Sequence, residues 1–442
     1  MPERYDCNHL DSGSVDHAGT AIDRAPFPGI VHFPPMVAES LHGGQVTGIE
    51  FFCGAGGLSL AFHLANGKLS REGPSQLFVK GAQPLSPPGK GTATQPMDII
   101  ERSAILDMLP QPIRKVMVLC ESRLGSFLCS SPAIRALRAA LPTAELVAVT
   151  GEALRGLVSR STHLDRFAAP PPPDRASRAR NARLLTRFFL DMQEEHFDLA
   201  IQMHGYGLQS SPYFSLFGAR ANAGFVGCAD MPGMMDAPLL FPQEGHIVDR
   251  FLALSTYLGA PSCGRHTEFP LFPEDEAEAH LLLASTPGPL VGIHPGARSD
   301  QRRWNPERFA QASVLLQHRF GGTILILGEQ CDCEVAEGIA SLVHGPCLNL
   351  VGKTSLPVLG AIIKKLSVFV TNDTGPAHVA YALETPTVTL FASATMTLFW
   401  PPERGPYRPL TCEAIDPERY QGNWLNTISV PQVLDAVEEV LR

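Results

Sequence analysis

The residues best placed to do chemistry are Asn372-Asp373-Thr374-Gly375, followed by Pro376 and, further on, His378. They interrupt a short apolar, β-favouring run, Val368-Phe369-Val370, with residue types that favour turns and helix starts. Pro376 suits a first helical turn, because the N–H it lacks would have no partner there anyway. Ala377, Ala380, Tyr381 and Leu383 then supply a face for packing. A helix that opens at the carboxyl end of a buried strand presents free N–H groups and the positive end of its dipole. That chemistry suits phosphate, and a nucleoside diphosphate is the natural ligand. The plainer reading is that Asp373 or Thr374 only caps the helix.

Such a turn needs a sheet to hold it, and the chain supplies repeated strand and helix patterns from Arg114 onward. Strands are expected at 116–120, 145–150 and 198–203. Helices are expected at 131–141, 152–159, within 177–195, near 212–217 and at 246–258. The first of these has Ser131 as its cap and Pro132 at its first position. A second set begins with the stretch 290–296 and has strands at 323–327 and 348–351, helices at 306–318, 331–343 and 356–365, and then the strand, turn, helix and strand of 367–391. A last helix is expected over 431–441. Strands alternating with helices at this spacing imply parallel sheets covered on both faces. The fold class is α/β, with two Rossmann-like domains over 113–285 and 286–442 facing a cleft. The proline-rich stretch 268–289 reads as the hinge between them. Residues 1–112, with dense Gly and Pro tracts, read as an irregular N-terminal extension.

Composition narrows the function. With 442 residues and 44% hydrophobic content the chain can bury sizeable cores. A net charge of -9 argues against a general nucleic-acid binder, which needs a basic footprint. Ten cysteines without a paired framework, and no charged and apolar leader at the start, favour a reduced, cytoplasmic setting. Cys331, Cys333 and Cys347 lack the paired spacing of a zinc site. Nothing in the sequence calls for a metal or a cofactor.

The longer pattern of Asp373, Thr374, Gly375 and His378 followed by Thr385-Pro386 resembles the donor-site signature of glycosyltransferase family 9, the family of ADP-heptose:lipopolysaccharide heptosyltransferases. Arg123-Leu124-Gly125, the run 130–137, Gln202-Met203-His204-Gly205, His294-Pro295-Gly296-Ala297 and the run 302–309 fall in the family's order. The resemblance covers about residue 116 to the C-terminus. It implies a GT-B fold, an acceptor in the N-terminal domain and a nucleotide-activated sugar, an ADP-sugar by preference, in the C-terminal one. It places Arg302 against the donor diphosphate, with Arg303 or Arg298 as substitutes, and Glu329 against the nucleoside. Thr374 and Gly375 then offer hydroxyl and N–H donors to phosphate, and His378 follows one turn later on the same helix face. The reaction so implied is a metal-independent, inverting displacement of a nucleoside diphosphate by a glycan or glycolipid hydroxyl of the cell envelope. Its setting is the cytoplasm, with peripheral association at the inner membrane face left open.

One position departs from the family. Where its members carry Leu-Gly-Asp after the first strand, with the Asp as general base, this chain has Leu124-Gly125-Ser126. A serine hydroxyl is no base near neutral pH, and general-base help is worth about 10²–10⁴-fold in rate. Either Glu121, His204 or another cleft residue supplies the base, or catalysis is slow, or the chain binds a sugar nucleotide without transferring it. An epimerase or hydrolase on the same scaffold is a further alternative. On the acceptor side, Arg123 and a basic strip that includes Arg178, Arg180, Arg183 and Arg187 suit an acidic or phosphorylated glycan, although a solvated helix face explains the strip as well.

Outside the repeated units, the island 48–60 with Gly54, Gly56 and Gly57 resembles the first motif of DNA cytosine-5 methyltransferases, which contacts S-adenosylmethionine. The Pro-Cys nucleophile motif of those enzymes is not recognisable downstream. A strand and glycine turn pairing with 76–79 is the simpler expectation.

Overall fold

The computed structural model describes residues 63–65, 68–70, 102–172, 177–204, 214–227, 235–392, 396–412 and 423–442. The glycine-rich island and its expected partner strand lie outside them. Ahead of the repeated units, β1 (His63–Ala65) and β2 (Lys68–Ser70) pair antiparallel, and α1 spans Ile105–Met108.

The first lobe follows as β3 (Lys115–Cys120), α2 (Leu124–Ala140), β4 (Glu145–Val149), α3 (Arg155–Val158), β5 (Arg166–Ala168), α4 (Arg178–Glu194), β6 (Leu199–Met203), β7 (Ala221–Val226), β8 (Ala237–Leu240) and α5 (Ile247–Tyr257). Its six strands run parallel in the order β5-β4-β3-β6-β7-β8. The central strands are buried on both faces, which is why they read as unbroken apolar runs: Val116, Met117 and Val118 have no exposed surface.

After α6 (Pro273–Leu283) the second lobe repeats the plan: β9 (Leu290–His294), α7 (Pro306–Phe320), β10 (Thr323–Ile326), α8 (Cys333–Leu342), β11 (Cys347–Asn349), α9 (Leu356–Lys364), β12 (Val368–Asn372), α10 (Gly375–Ala382), β13 (Thr387–Phe391), β14 (Tyr407–Thr411) and α11 (Val430–Leu441). Its parallel sheet has the order β11-β10-β9-β12-β13-β14. In both sheets the chain winds outward from the first strand in one direction and then in the other. Each sheet therefore has a switch point, between β3 and β6 and between β9 and β12, where α/β sheets open a crevice for ligands.

In the two sheets, β5, β7, β8 and β14 lie outside the expected set of strands, and three further elements differ from the expectation. α2 starts at Leu124 and carries Pro132 in its interior. Pro132 cannot donate to Leu128 O, and the hydroxyl of Ser131 does so instead at 2.7 Å. Ser131 is thus a stand-in donor within the helix rather than its cap. The stretch expected to be a hinge holds α6, with Pro273 at a first-turn position and the Asp275 carboxylate accepting from Phe272 N at 2.9 Å. Before α6 the chain is pinned to α2: Arg135 donates to Cys263 O, Gly264 O and His266 O and pairs with Glu268, and Ser131 Oγ accepts from Glu268 N. Of the helix expected near 212–217, the described part is a single 3-10 turn, Ser215–Phe217.

The last helix packs against α7 and strands β12 to β14 of its own lobe. Val433 and Val437 of α11 join Trp304, Phe309 and Leu425 in a core on that side. The main apolar cluster belongs to both lobes: Phe127, Ile134 and Leu137 of α2 are continuous with Val358 and Ile362 of α9 and Val379 and Ala380 of α10.

Candidate active site

At the switch point of the second sheet, His294 and Thr371 stand opposite one another at the ends of β9 and β12. The next residue, Asn372, is fully buried and stitches the loop after β9 in place. Its Oδ1 accepts from Trp304 N at 3.1 Å, and its Nδ2 donates to Pro295 O and Gly296 O at 2.9 and 3.2 Å. The Thr371 and Thr374 hydroxyls both reach Asn372 O, at 2.8 and 3.2 Å, and both lie near His294 Nδ1, at 3.3 and 3.2 Å. Burial lowers the pKa of His294 to about 4, with Asp332 opposing and Arg303 adding to the shift. The ring is therefore neutral at physiological pH.

This arrangement argues against the plainer reading of the turn, the helix cap. Neither Asp373 nor Thr374 caps α10 with its side chain; the Thr374 hydroxyl is turned to His294 and Asn372 O instead. Thr374, Gly375 and Pro376 are partly exposed at the helix start, so the positive end of the helix faces the crevice. Arg302 borders it. Its Nη2 donates to both the carbonyl and the carboxylate of Asp373, each at 2.5 Å. Burial raises the Asp373 pKa and Arg302 pulls it down. Asp373 holds the guanidinium beside the helix N-terminus with one edge engaged.

The neighbouring arginine goes elsewhere. Arg303 donates to Ala297 O at 2.8 Å, pairs with Asp300 at 3.1 Å and lies 3.7 Å from Asp332. It braces the loop rather than lining the α10 N-terminus, and Arg298 is exposed. Asp332 is buried between Gly296 and Gly328, with its Oδ2 accepting from Glu329 N at 3.2 Å. Glu329 itself is exposed in the loop that follows β10, the strand next to β9.

His378 does not share the exposed side of the helix start. Its ring is buried against α2, with Nδ1 3.6 Å from Cys129 Sγ and edge contacts to Tyr381 and Phe399. Burial, followed by the charges of His246 and Arg302, lowers its pKa to about 3. α2 and α10 touch through glycines here. A Cβ on Gly375 would stand 3.0 Å from Leu124, at the start of α2. Ser126, 7% exposed, sits one position past Gly125 in the first turn of α2. Among the described residues its hydroxyl has no hydrogen-bond partner.

The other switch point brings together two residues that the sequence offered separately. Cys120 pairs with Met203 at the ends of β3 and β6, and the residues just beyond, Glu121 and His204, come within 3.5 Å through Oε2 and Nε2. Both side chains are mostly but not wholly covered. Arg123, on the same loop, is exposed, as are Arg178 and Arg183 on α4. Among the described residues no three His, Cys, Asp or Glu side chains gather closely enough to hold a metal ion, and no helix is long and apolar enough to cross a membrane.

The family model described as glycosyltransferase family 9 (heptosyltransferase) matches residues 185–411, just over half of the chain. The chain belongs to glycosyltransferase family 9. Among curated proteins it is similar to the lipopolysaccharide core heptosyltransferase OpsX of Haemophilus influenzae, 29% identical over 34% of this chain and 44% of that protein. It is equally similar to a lipopolysaccharide heptosyltransferase 3 of Escherichia coli, 29% identical over 45% of this chain and 61% of that protein. The match thus spans about half the length of these relatives. Among solved structures, the E. coli ADP-heptose lps heptosyltransferase II superposes with a TM-score of 0.60, at 22% identity, over 74% of this chain and 98% of that one. At that identity the likeness carries the fold, a family 9 arrangement of two parallel-sheet α/β domains.

Sequence reasoning passed over two residues that shape the candidate site of this family 9 chain and one that packs behind it. His294 and Asn372 stood inside quoted motifs without a role, and their chain-distant contacts give no local signal. Cys129 reads as an ordinary core residue until its contact with His378 is seen.

Proposed function

We propose that this chain transfers a sugar of the heptose class from a nucleoside-diphosphate donor, ADP-linked by preference, to a lipopolysaccharide-type glycan. The observation that carries the reading is the uncapped N-terminus of α10 at the second switch point, with Arg302 held beside it by Asp373. The names of the similar proteins, heptosyltransferases of lipopolysaccharide, support the substrate classes. In this reading the diphosphate lies across the Thr374 hydroxyl and Gly375 N–H, and Arg302 stabilises the charge that grows as the sugar leaves. Glu329, exposed in the loop that follows β10, faces the nucleoside. The acceptor approaches from the first lobe, where Arg123, Arg178 and Arg183 attract its acidic groups, and displacement from that side inverts the anomeric carbon. Work at the inner face of the membrane follows from such an acceptor.

Calorimetric titration with ADP, UDP and GDP tests the donor site. ADP binding that weakens in Arg302→Ala supports it; no binding of any of the three overturns it. A second reading rests on Ser126. With a hydroxyl where the family has its acid, the chain binds the donor without transferring it, and it would then release no ADP when donor and acceptor are both present.

A further inference from the structure

The first switch point holds a pair of side chains that completes the chemistry left open by Ser126. We propose that His204 is the general base that deprotonates the acceptor hydroxyl, with Glu121 as the residue that positions it. This rests on the transfer reading above and deepens it.

Three observations converge on the pair. The two side chains lie on adjacent strands at the crevice, one residue past the Cys120 and Met203 register, so the sheet itself holds them in line. The contact engages His204 Nε2 with Glu121 Oε2 at 3.5 Å, which leaves Nδ1 as the nitrogen able to take a proton. At 3.5 Å the two side chains are in ion-pair contact rather than hydrogen-bonded, and catalytic contacts of this kind in a ligand-free site commonly tighten when substrate binds. The loop 121–123 also runs straight into Leu124, which packs against Gly375 at the start of α10. Base and donor helix therefore border the same gap. The backbone of Glu121 is fixed as well, since its carbonyl accepts from Thr150 Oγ1 at 2.9 Å.

The step balances without any further reactant. The acceptor O–H proton passes to His204 Nδ1, and the oxygen forms a bond to the anomeric carbon. The bond from that carbon to the diphosphate oxygen breaks, and its electron pair leaves with the nucleoside diphosphate towards Arg302. The imidazolium that results is paired with the Glu121 carboxylate. This is the logic of a base oriented by a third group, built from two strand ends.

The test compares the wild-type chain with His204→Gln, Glu121→Gln and the double variant His204→Gln with Ser126→Asp, using ADP-heptose as donor and lipopolysaccharide inner-core glycan as acceptor. ADP release gives kcat and KM, and ADP affinity is measured alongside. The expected result is a fall in kcat of about a hundredfold or more for His204→Gln, with ADP affinity within about twofold of wild type. Glu121→Gln should lower kcat about tenfold and leave the KM of the donor unchanged. Adding Ser126→Asp should return at least about tenfold of the loss, because a carboxylate then stands in the first turn of α2. A His204→Gln chain within about threefold of wild-type kcat overturns the base assignment alone. A wild-type chain that binds ADP but turns over no donor overturns the assignment and the transfer reading together, leaving the nucleotide site intact.

Discussion

Gly125 and His378 meet where α2 crosses α10, so closely that a Cβ on Gly125 would lie 2.5 Å from His378 Cδ2. The imidazole cannot swing away cheaply, because Tyr381, Phe399 and Cys129 surround it. At an ordinary helix position Gly→Ala gains up to about 1 kcal/mol. Here the sign reverses: Gly125→Ala should cost about 1–3 kcal/mol through overpacking. Urea denaturation checks this. In a His378→Ala background the same change should be nearly neutral, a coupling that a double-mutant cycle reads directly.

Arg302 is expected to be the main single contributor to nucleotide affinity. A charge-assisted hydrogen bond is worth about 1.5–3 kcal/mol, so Arg302→Ala should weaken ADP binding about 10- to 100-fold by calorimetry. Arg302→Lys should recover only part, because a single ammonium cannot serve Asp373 and a phosphate with the fixed fork of a guanidinium. Equal affinity for wild type and alanine variant would show that the guanidinium only braces the turn.

Ser131 and Pro132 form a compensated pair inside α2. Ser131→Ala removes the hydroxyl that serves Leu128 O and also the acceptor for Glu268 N. The expected loss is about 1–3 kcal/mol. Pro132→Ala restores a backbone N–H to Leu128 O, so the double variant should regain part of that loss. If both single changes and the double change have equal effects, the hydroxyl is not standing in for the missing donor.

Acid should weaken the fold before its carboxylates titrate. In the unfolded chain a histidine takes its proton near 6.5, whereas His294 waits until about 4 and His378 until about 3. Between those values the unfolded state binds more protons, so stability is fully present above pH 6.5 and is lost as pH falls towards 4 and then 3. Each such histidine adds up to about 1.4 kcal/mol per pH unit to the slope. Urea midpoints measured from pH 7 to pH 5 should fall, and His378→Asn should flatten the fall.

Much of this was readable from the sequence, for identifiable reasons. Strands such as 116–120 and 368–370 are buried on both faces and announce themselves as apolar runs. The turn at 372–375 declares itself because its residue types suit nothing else. Prolines misled twice. Pro132 reads as a helix start because its lost donor is replaced by a side chain, and the prolines of 268–289 read as a hinge although Pro273 begins a helix. The pairing of Glu121 with His204, and of Thr374 with His294, depends on which strands become neighbours across 83 and 80 residues. No local pattern encodes that; the order of the sheets does.

The apolar cluster that runs from α2 into α9 and α10 has a mechanical consequence. Two lobes joined by a solvated hinge can swing apart and can melt separately. Lobes that share one core can do neither without exposing it to water. The shared core limits relative motion of the lobes to small shear between α2 and α10, and heating should give one calorimetric transition whose enthalpy belongs to both lobes at once.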